Sequence, residues 1–360
     1  MLEIFILLFV AAFTQNVICL FNLRKVVTPV THTIFVSTND IAEEFLPGHE
    51  SQLQTLFQSQ YLSTTLGNLT AGPPLIFIHG SLHSAWCWAE NFMPYFASLG
   101  QPSCAISLRG TASSIYIRNS KTVQIQDHIR DLKAILPIIF DRYGLASTVK
   151  PVLVGHSFGG VVVMKLLEDA AIRERLGGAA LLCSVPPSGN GPLTLRYLRT
   201  RPLDAFKIVY GFALRAAVRD ASLCRALLFD PDVPPADLSR YMQRLGRDGE
   251  VGLDLTTLGS VLPSVTSADP ATGRARWQGS EPTAAASPSL APVAYLPTLV
   301  VGAERDVLVD AEAVEETARY MGCLPTTCRG TAHDVMLGPR WRLCAEILRS
   351  WCVDSLEVMR

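Results

Sequence analysis

The segment Gly155-His156-Ser157-Phe158-Gly159 follows an apolar run at 151–156 (PVLVGH) and precedes a helical pattern over 158–171. A serine at a strand-to-helix junction, with glycine two residues away on either side, restricts the local backbone severely. Its side chain must sit on a sharp, strained turn with the hydroxyl projecting above the strand end, and the glycines relieve the crowding there. The helix opening at Phe158 aims its first amides at the same place, where they favour developing negative charge. The alternative is a glycine-rich turn with a bystander serine. The flanking strand and helix count against it.

Such a junction needs a sheet around it, and the rest of the chain carries the pattern of one. Apolar runs at 74–79 (PLIFIH), 103–108 (SCAISL), 151–156, 179–185 (AALLCSV) and 297–301 (PTLVV) alternate with helical patterns. Continuous apolar strands separated by helices predict an α/β fold, a mostly parallel central sheet flanked by helices on both faces. Over 121–143, Ile125, Ile129, Leu132 and Leu136 fall on one helical face, with a kink expected near Pro137. Helices at 311–321 and 340–353, with a short strand at 326–329, complete the C-terminal part. The rhythm fails between Pro186 and Pro292. Helical segments at 193–199, 203–218, 222–229 and 236–245 follow one another without strands, and 263–292 is rich in Pro, Ala, Ser and Thr. Residues 188–292 therefore read as an inserted helical cap and flexible connection, dividing a core of 71–187 and 293–360.

At 360 residues, with 49% apolar and 18% charged side chains, the chain can bury a large core. A formal net charge of −1 and no basic tract predict no nucleic-acid partner; a small, uncharged or apolar molecule suits this surface better. The nine cysteines form no CxxC pair, and Cys323 and Cys328 have no histidine at finger-like spacing. No metal site is expected, and the thiols should be mostly buried and free, with at most one disulfide.

The amino terminus reads in several ways. Its apolar run over 4–13 is too short to span a bilayer alone. Val10-Ala11-Ala12 suits cleavage before Phe13, yet Glu3 stands where a signal peptide carries positive charge. From Phe13 to Asn39 acidic residues are absent, as in a transit peptide. Residues 1–23 are thus a signal peptide or hydrophobic leader, and 24–70 a transit-like or poorly structured lead-in. Weak alternation over 40–70 predicts a strand or hairpin within it. The compartment stays open between the secretory pathway and a plastid, and this hydrophobic segment is where membrane contact or anchoring would arise. The sequon Asn68-Leu69-Thr70 matters only in a secretory lumen.

A serine hydroxyl is a poor nucleophile at neutral pH without a base that is itself oriented by an acid. Asp306 lies just beyond PTLVV, and His333 between the last strand and the last helix. Both fall at strand carboxyl ends, where a doubly wound sheet gathers its functional loops. Ser157, Asp306 and His333 are the expected catalytic set. Glu304, nearer the strand end, and Asp334, adjoining His333 but expected to point elsewhere, are the rival acids. The oxyanion hole would use the amides of Phe158 and of Ser81, with Leu82 second, because Gly80 lets that loop turn inward. Losing one such donor costs ~3 kcal/mol of transition-state stabilisation. Leu82, His83 and Trp86 are placed in the substrate pocket, with packing an equal alternative for the aromatics, Trp88 included. His79, His128 and His156 read as structural. In the cap, Phe206, Val209, Phe212, Leu214, Leu227, Leu228 and Phe229 would receive an acyl chain or pack the cap onto the core.

The stretches FIHGSLHSAWCW, SLRGTASS, VLVGHSFGG, VVGAERDVLV and GTAHDVML resemble, in order and spacing, the α/β-hydrolase superfamily. The likeness is to its serine lipase/esterase-like (lysophospholipase-like) members, whose second motif reads roughly LSLRGHGxS. It covers about 72–187 and 293–353, and the cap more loosely. The resemblance implies hydrolysis of a carboxylic ester through an acyl-enzyme, with neither metal nor organic cofactor. One departure is Arg109-Gly110-Thr111-Ala112-Ser113, which lacks the usual histidine and second glycine. It bears on pocket shape rather than on the three side chains. Thioesterase, acyltransferase or lyase chemistry on the same residues is the alternative, as is a non-catalytic ligand-binding receptor, although a binding module needs no base. With a histidine base, the rate should fall below about pH 6.

Overall fold

The strands nearest the centre place alternate side chains in two separate apolar clusters, one on each face of the sheet. Ile76, Ile78, Leu153, Leu181 and Val300 point to one face. Leu75, Phe77, Val154, Leu182 and Val301 point to the other. Each of these side chains, fully shielded from water, contributes about 1.5–3 kcal/mol of hydrophobic stabilisation. The computed structural model describes residues 34–35, 41–49, 51–58, 72–116, 122–144, 150–213, 215–249, 251–253, 261–263 and 296–357. The leader over 1–23, the Asn68 sequon and the connection from 264 to 292 lie outside the described residues.

The strands are β1 (Ile34–Phe35), β2 (Ile41–Pro47), β3 (Ser51–Gln58), β4 (Leu75–Ile78), β5 (Ser103–Ile106), β6 (Ile115–Tyr116), β7 (Thr122–Val123), β8 (Val152–His156), β9 (Gly178–Leu182), β10 (Gly252–Leu253), β11 (Thr298–Ala303) and β12 (Pro325–Cys328). Ten of them form one sheet in the order β1-β2-β3-β5-β4-β8-β9-β11-β12, with β6 beside β3. From β5 to β12 all pairings are parallel. The β1–β3 edge and β6 are antiparallel. The sheet therefore begins well before residue 71. The hairpin predicted within 40–70 is β2–β3, and it belongs to the core because Ala42, Leu53 and Phe57 are buried there. Part of the 24–70 stretch, read from the sequence as a transit-like or poorly structured lead-in, is therefore sheet.

Helices cover both faces. They are α1 (Trp86–Ala89), α2 (Phe92–Ser98), α3 (Ile125–Gly144), α4 (Phe158–Leu166), α5 (Ala170–Arg173), α6 (Asn190–Thr200), α7 (Pro202–Ala213), α8 (Ala221–Leu228), α9 (Pro235–Asp248), α10 (Ala311–Met321) and α11 (Trp341–Glu357). Three helices depart from the periodicity reading in instructive ways. The helix expected from 121 starts at Ile125, because Thr122 and Val123 pair with β10, and it continues past Pro137. The helix expected over 158–171 stops at Leu166, and α5 restarts where the Asp169 carboxylate accepts the Ala171 amide at 2.9 Å. The helix expected over 203–218 ends at Ala213, and after Arg215, at φ 54°, the chain resumes as a tight turn over Ala216–Val218.

α6 to α9 form the cap. Leu227, Leu228, Phe229, Leu238, Tyr241 and Leu245 join the apolar cluster that also contains Trp86 and Phe77. Those residues pack the cap onto the core. Phe206 stays half exposed, and Leu214 lies outside the described residues. Among the described residues eight cysteines are free, all buried except Cys323. No helix among them is long and apolar enough to cross a membrane.

Candidate active site

β8 delivers Ser157 to the carboxyl end of the sheet, between strand and α4. Ser157 adopts φ 53° and ψ −120°, a strained conformation for a residue with a β-carbon. The turn is possible because its glycines touch. A β-carbon on Gly155 would fall 2.6 Å from the Gly159 carbonyl oxygen, and one on Gly159 would fall 2.5 Å from that of His79. Ser157 is half-buried, while its surroundings are fully packed.

Asp306 follows β11 and His333 follows β12, and the structure brings them into contact. His333 Nδ1 lies 2.8 Å from Asp306 Oδ2, with both residues buried. The second carboxylate oxygen accepts the amides of Leu308 at 2.8 Å and Val309 at 3.0 Å. The acid is thereby held in one orientation, and Nδ1 keeps the ring proton, which leaves basicity at Nε2. Burial lowers the His333 pKa, but the adjacent Asp306 carboxylate more than offsets it, and the net shift is upward. The rival acids are engaged elsewhere. Glu304 is exposed and accepts the Gly330 amide at 2.7 Å. Asp334 meets His83 Nε2 at 3.0 Å.

The loop after β4 lies directly over the serine. A β-carbon on Gly80 would stand 2.8 Å from Ser157 Cβ, so only glycine permits this approach. His79 Nδ1 is 2.8 Å from the Gly80 carbonyl, and its Nε2 accepts the Leu108 amide at 2.9 Å. The ring is thus neutral, in keeping with a pKa that burial lowers to about 3. A trans peptide sets the Ser81 amide antiparallel to the Gly80 carbonyl that His79 and the His83 amide hold. Phe158 heads α4, where the first amides of a helix have no intrahelical partner. Ser81 itself is exposed.

His156 also has a structural function. Its Nε2 donates to the His333 carbonyl at 3.0 Å, the two rings lie 4.9 Å apart, and burial lowers its pKa to about 3. His128 is buried, and burial lowers its pKa to about 4.

The pocket assignments need correction. His83 is only 1% exposed, with both ring nitrogens engaged, so it is not a wall open to ligand. Trp86 stacks between His83 and Tyr241 and donates its indole N–H to Asp248 at 2.8 Å, which makes it a joint between core and cap. Trp88 stacks on Phe77 at 4.6 Å in the core. Leu82 remains half-buried, at φ 67°, against Gly249 of the cap.

Two residues, Cys183 and Asp248, make contacts that the sequence did not announce. Cys183 follows β9 at φ 46°, buried, with its thiol hydrogen-bonded to Asp306; burial together with that carboxylate pushes its pKa well above the ordinary thiol value. Asp248, at the end of α9, accepts Ser84 Oγ at 2.7 Å as well as the Trp86 indole. Neither partner is close in sequence, so no local pattern announces them. Among the described residues, His156, His333 and Asp334, and separately Cys183, Asp306 and His333, bring potential metal-ligand atoms within 4.8 Å of one another. In both groups the His333 Nδ1 is already committed to Asp306.

A cavity of about 820 Å³ opens between α8, α9 and the loops that carry Asp306 and His333. Its wall includes Phe229, Leu238, Met242, Arg305 and Ala332, the last two being chain neighbours of Asp306 and His333; Ser157 is not part of it.

Comparison with known proteins agrees with this architecture. The structure superposes on a bacterial membrane phospholipase A with a TM-score of 0.59 at 16% identity, covering 89% of this chain and 87% of that one. It superposes on the esterase RhEst1 from Rhodococcus with a TM-score of 0.53 at 17% identity, covering 88% and 99%. At these identities the likeness is one of fold. Norfluorocurarine synthase 1 from Strychnos nux-vomica is 33% identical over 117 residues, which span 32% of this chain and 40% of that relative. The model of the alpha/beta hydrolase family matches residues 75–346, which include the serine turn, the Asp306 loop and the His333 loop. The chain belongs to the alpha/beta hydrolase family.

Proposed function

We propose that the protein is a serine hydrolase that cleaves a carboxylic ester of an apolar or lipid-like substrate through an acyl-enzyme. Two observations carry this reading: the Asp306–His333 contact at 2.8 Å, and a serine held on a strained turn. His333 Nε2 takes the Ser157 proton as Oγ attacks the ester carbonyl. Asp306 holds the imidazole in the required tautomer and stabilises the imidazolium that forms. The Ser81 and Phe158 amides receive the oxyanion. His333 then returns its proton to the leaving alcohol, and water, deprotonated by the same ring, releases the acyl group. The three side chains need no metal or organic cofactor for these steps. The cavity beside the Asp306 and His333 loops carries Phe229, Leu238 and Met242 in its wall alongside Arg219, Arg225 and Arg305, and its apolar part supports an acyl chain.

The same residues would also serve a thioesterase, an acyltransferase or a lyase, and the synthase named among the relatives keeps that second reading open. Purified protein should hydrolyse p-nitrophenyl esters, with kcat/KM rising from acetate towards longer acyl chains, and Ser157→Ala should abolish turnover. Turnover of none of these esters, or turnover that survives Ser157→Ala, would overturn the reading.

A further inference from the structure

His83 and Asp334 form a buried contact that the acyl chemistry above leaves unused. His83 Nε2 lies 3.0 Å from Asp334 Oδ2, and both side chains are shielded from water. Across the ring, Nδ1 lies 2.9 Å from the Ser81 carbonyl oxygen. A carbonyl and a carboxylate can only accept, so both ring nitrogens carry protons and His83 is an imidazolium. Burial lowers the His83 pKa, yet Asp334 reverses this and the net shift is upward; Asp334 itself, despite burial, is held below the usual carboxylate range by His83. Other groups facing the pair include His156, whose Nε2 is 3.9 Å from Asp334 Oδ1, together with His333, His79, Cys87 and Cys224.

The contact joins two loops that must act together. Ser81 belongs to the loop over Ser157, and Asp334 directly follows His333. Asp334 is anchored from behind, its amide donating to the Leu228 carbonyl at 2.9 Å, and the His333 carbonyl is held by His156. The Ser81–Leu82 peptide is pinned only where His83 holds its oxygen, among the hydrogen bonds of the described residues. The next residue, Leu82, occupies φ 67°, which a branched side chain keeps only when its surroundings compel it.

We propose that His83 and Asp334 are positioning residues that lock the loop over Ser157 to the His333 loop, so that the Ser81 amide stays in register with the nucleophile and its base. This rests on the serine-hydrolase reading. It assigns His83 to the fixing of an oxyanion donor instead of to substrate contact.

The test is steady-state ester hydrolysis by the full chain carrying His83→Gln, Asp334→Asn or both, with the melting temperature of each. Glutamine cannot reach both partners at once. Removing an oxyanion donor outright costs roughly 10²–10³-fold in kcat, and a loosened donor should cost about tenfold to a hundredfold with KM changed less than about threefold. Asp334→Asn keeps the shape and can donate to a neutral His83, so its loss should stay within about fivefold. The double variant should be no worse than His83→Gln alone, since one link is broken in both. Native kcat in His83→Gln with only a lowered melting temperature would overturn the proposal. So would a raised KM at unchanged kcat, or losses that multiply in the double variant. Failure of the underlying reading looks different: the wild-type protein itself would hydrolyse no ester.

Discussion

His333 Nδ1 and Asp306 Oδ2 stand 2.8 Å apart, buried, at the ends of neighbouring parallel strands and 27 residues apart in the chain. Two backbone amides occupy the other Asp306 oxygen. The acid can therefore neither rotate nor be replaced by Glu304, which is spent on Gly330.

Asp306→Asn should keep the fold and lower kcat on the order of 10⁴-fold. An amide in that place donates to Nδ1 and drives the ring proton onto Nε2, where the base is needed. Turnover within about tenfold of wild type, at an unchanged circular dichroism spectrum, would move the acid role away from Asp306.

The pH profile follows from the same contact. The base must be neutral, and Asp306 raises the His333 pKa above its ordinary 6.5. The acid limb of kcat/KM should therefore have its midpoint above pH 6.5, higher than the value of about 6 expected from the sequence. In Asp306→Asn the residual activity should have its acid limb shifted downward, because the raising charge is gone. A wild-type rate that stays flat down to pH 5 would contradict a histidine base.

Gly80→Ala tests the loop over the serine. The added methyl would stand 2.8 Å from Ser157 Cβ and 3.0 Å from His156 Nδ1, and neither can move without disturbing the turn. Overpacking of this kind costs about 1–3 kcal/mol of stability, and kcat should fall at least about a hundredfold as the loop is pushed off the serine. Urea denaturation and ester kinetics read the two effects separately; full activity in Gly80→Ala would mean that the loop sits elsewhere in solution.

Asp248→Ala should loosen the cap. It leaves Ser84 and Trp86 without their buried acceptor, at a cost of about 2 kcal/mol or more. The midpoint of chemical denaturation should drop, and KM for long-chain esters should rise more than for acetate. An unchanged midpoint would show that α9 is held by its apolar face and by Arg240 and Arg244 on Glu90 alone.

The sheet was legible because its central strands are continuous apolar runs, each feeding a core on both faces, and because glycine spacing marks the serine turn. The positions of Asp306 and His333 were legible as polar residues just past strand ends. What the chain order could not express was direction. Three carboxylates lay near His333 in sequence or at the neighbouring strand end, and only coordinates send Asp306 to the imidazole, Glu304 to a backbone amide and Asp334 to His83. His83 and Trp86 looked like pocket walls because their partners, Asp334 and Asp248, lie 251 and 162 residues away. The β2–β3 hairpin was half visible, since its outward glutamines resemble those of a loop while Leu53 and Phe57 enter the core.

The most direct measurement of the central claim is covalent labelling of Ser157 by a fluorophosphonate, read by intact mass and by peptide mapping. The wild-type protein should gain one phosphonyl group on the peptide containing Ser157, and Ser157→Ala should gain none. Folded wild-type protein that takes up no label, or label that maps to another residue, would contradict the account.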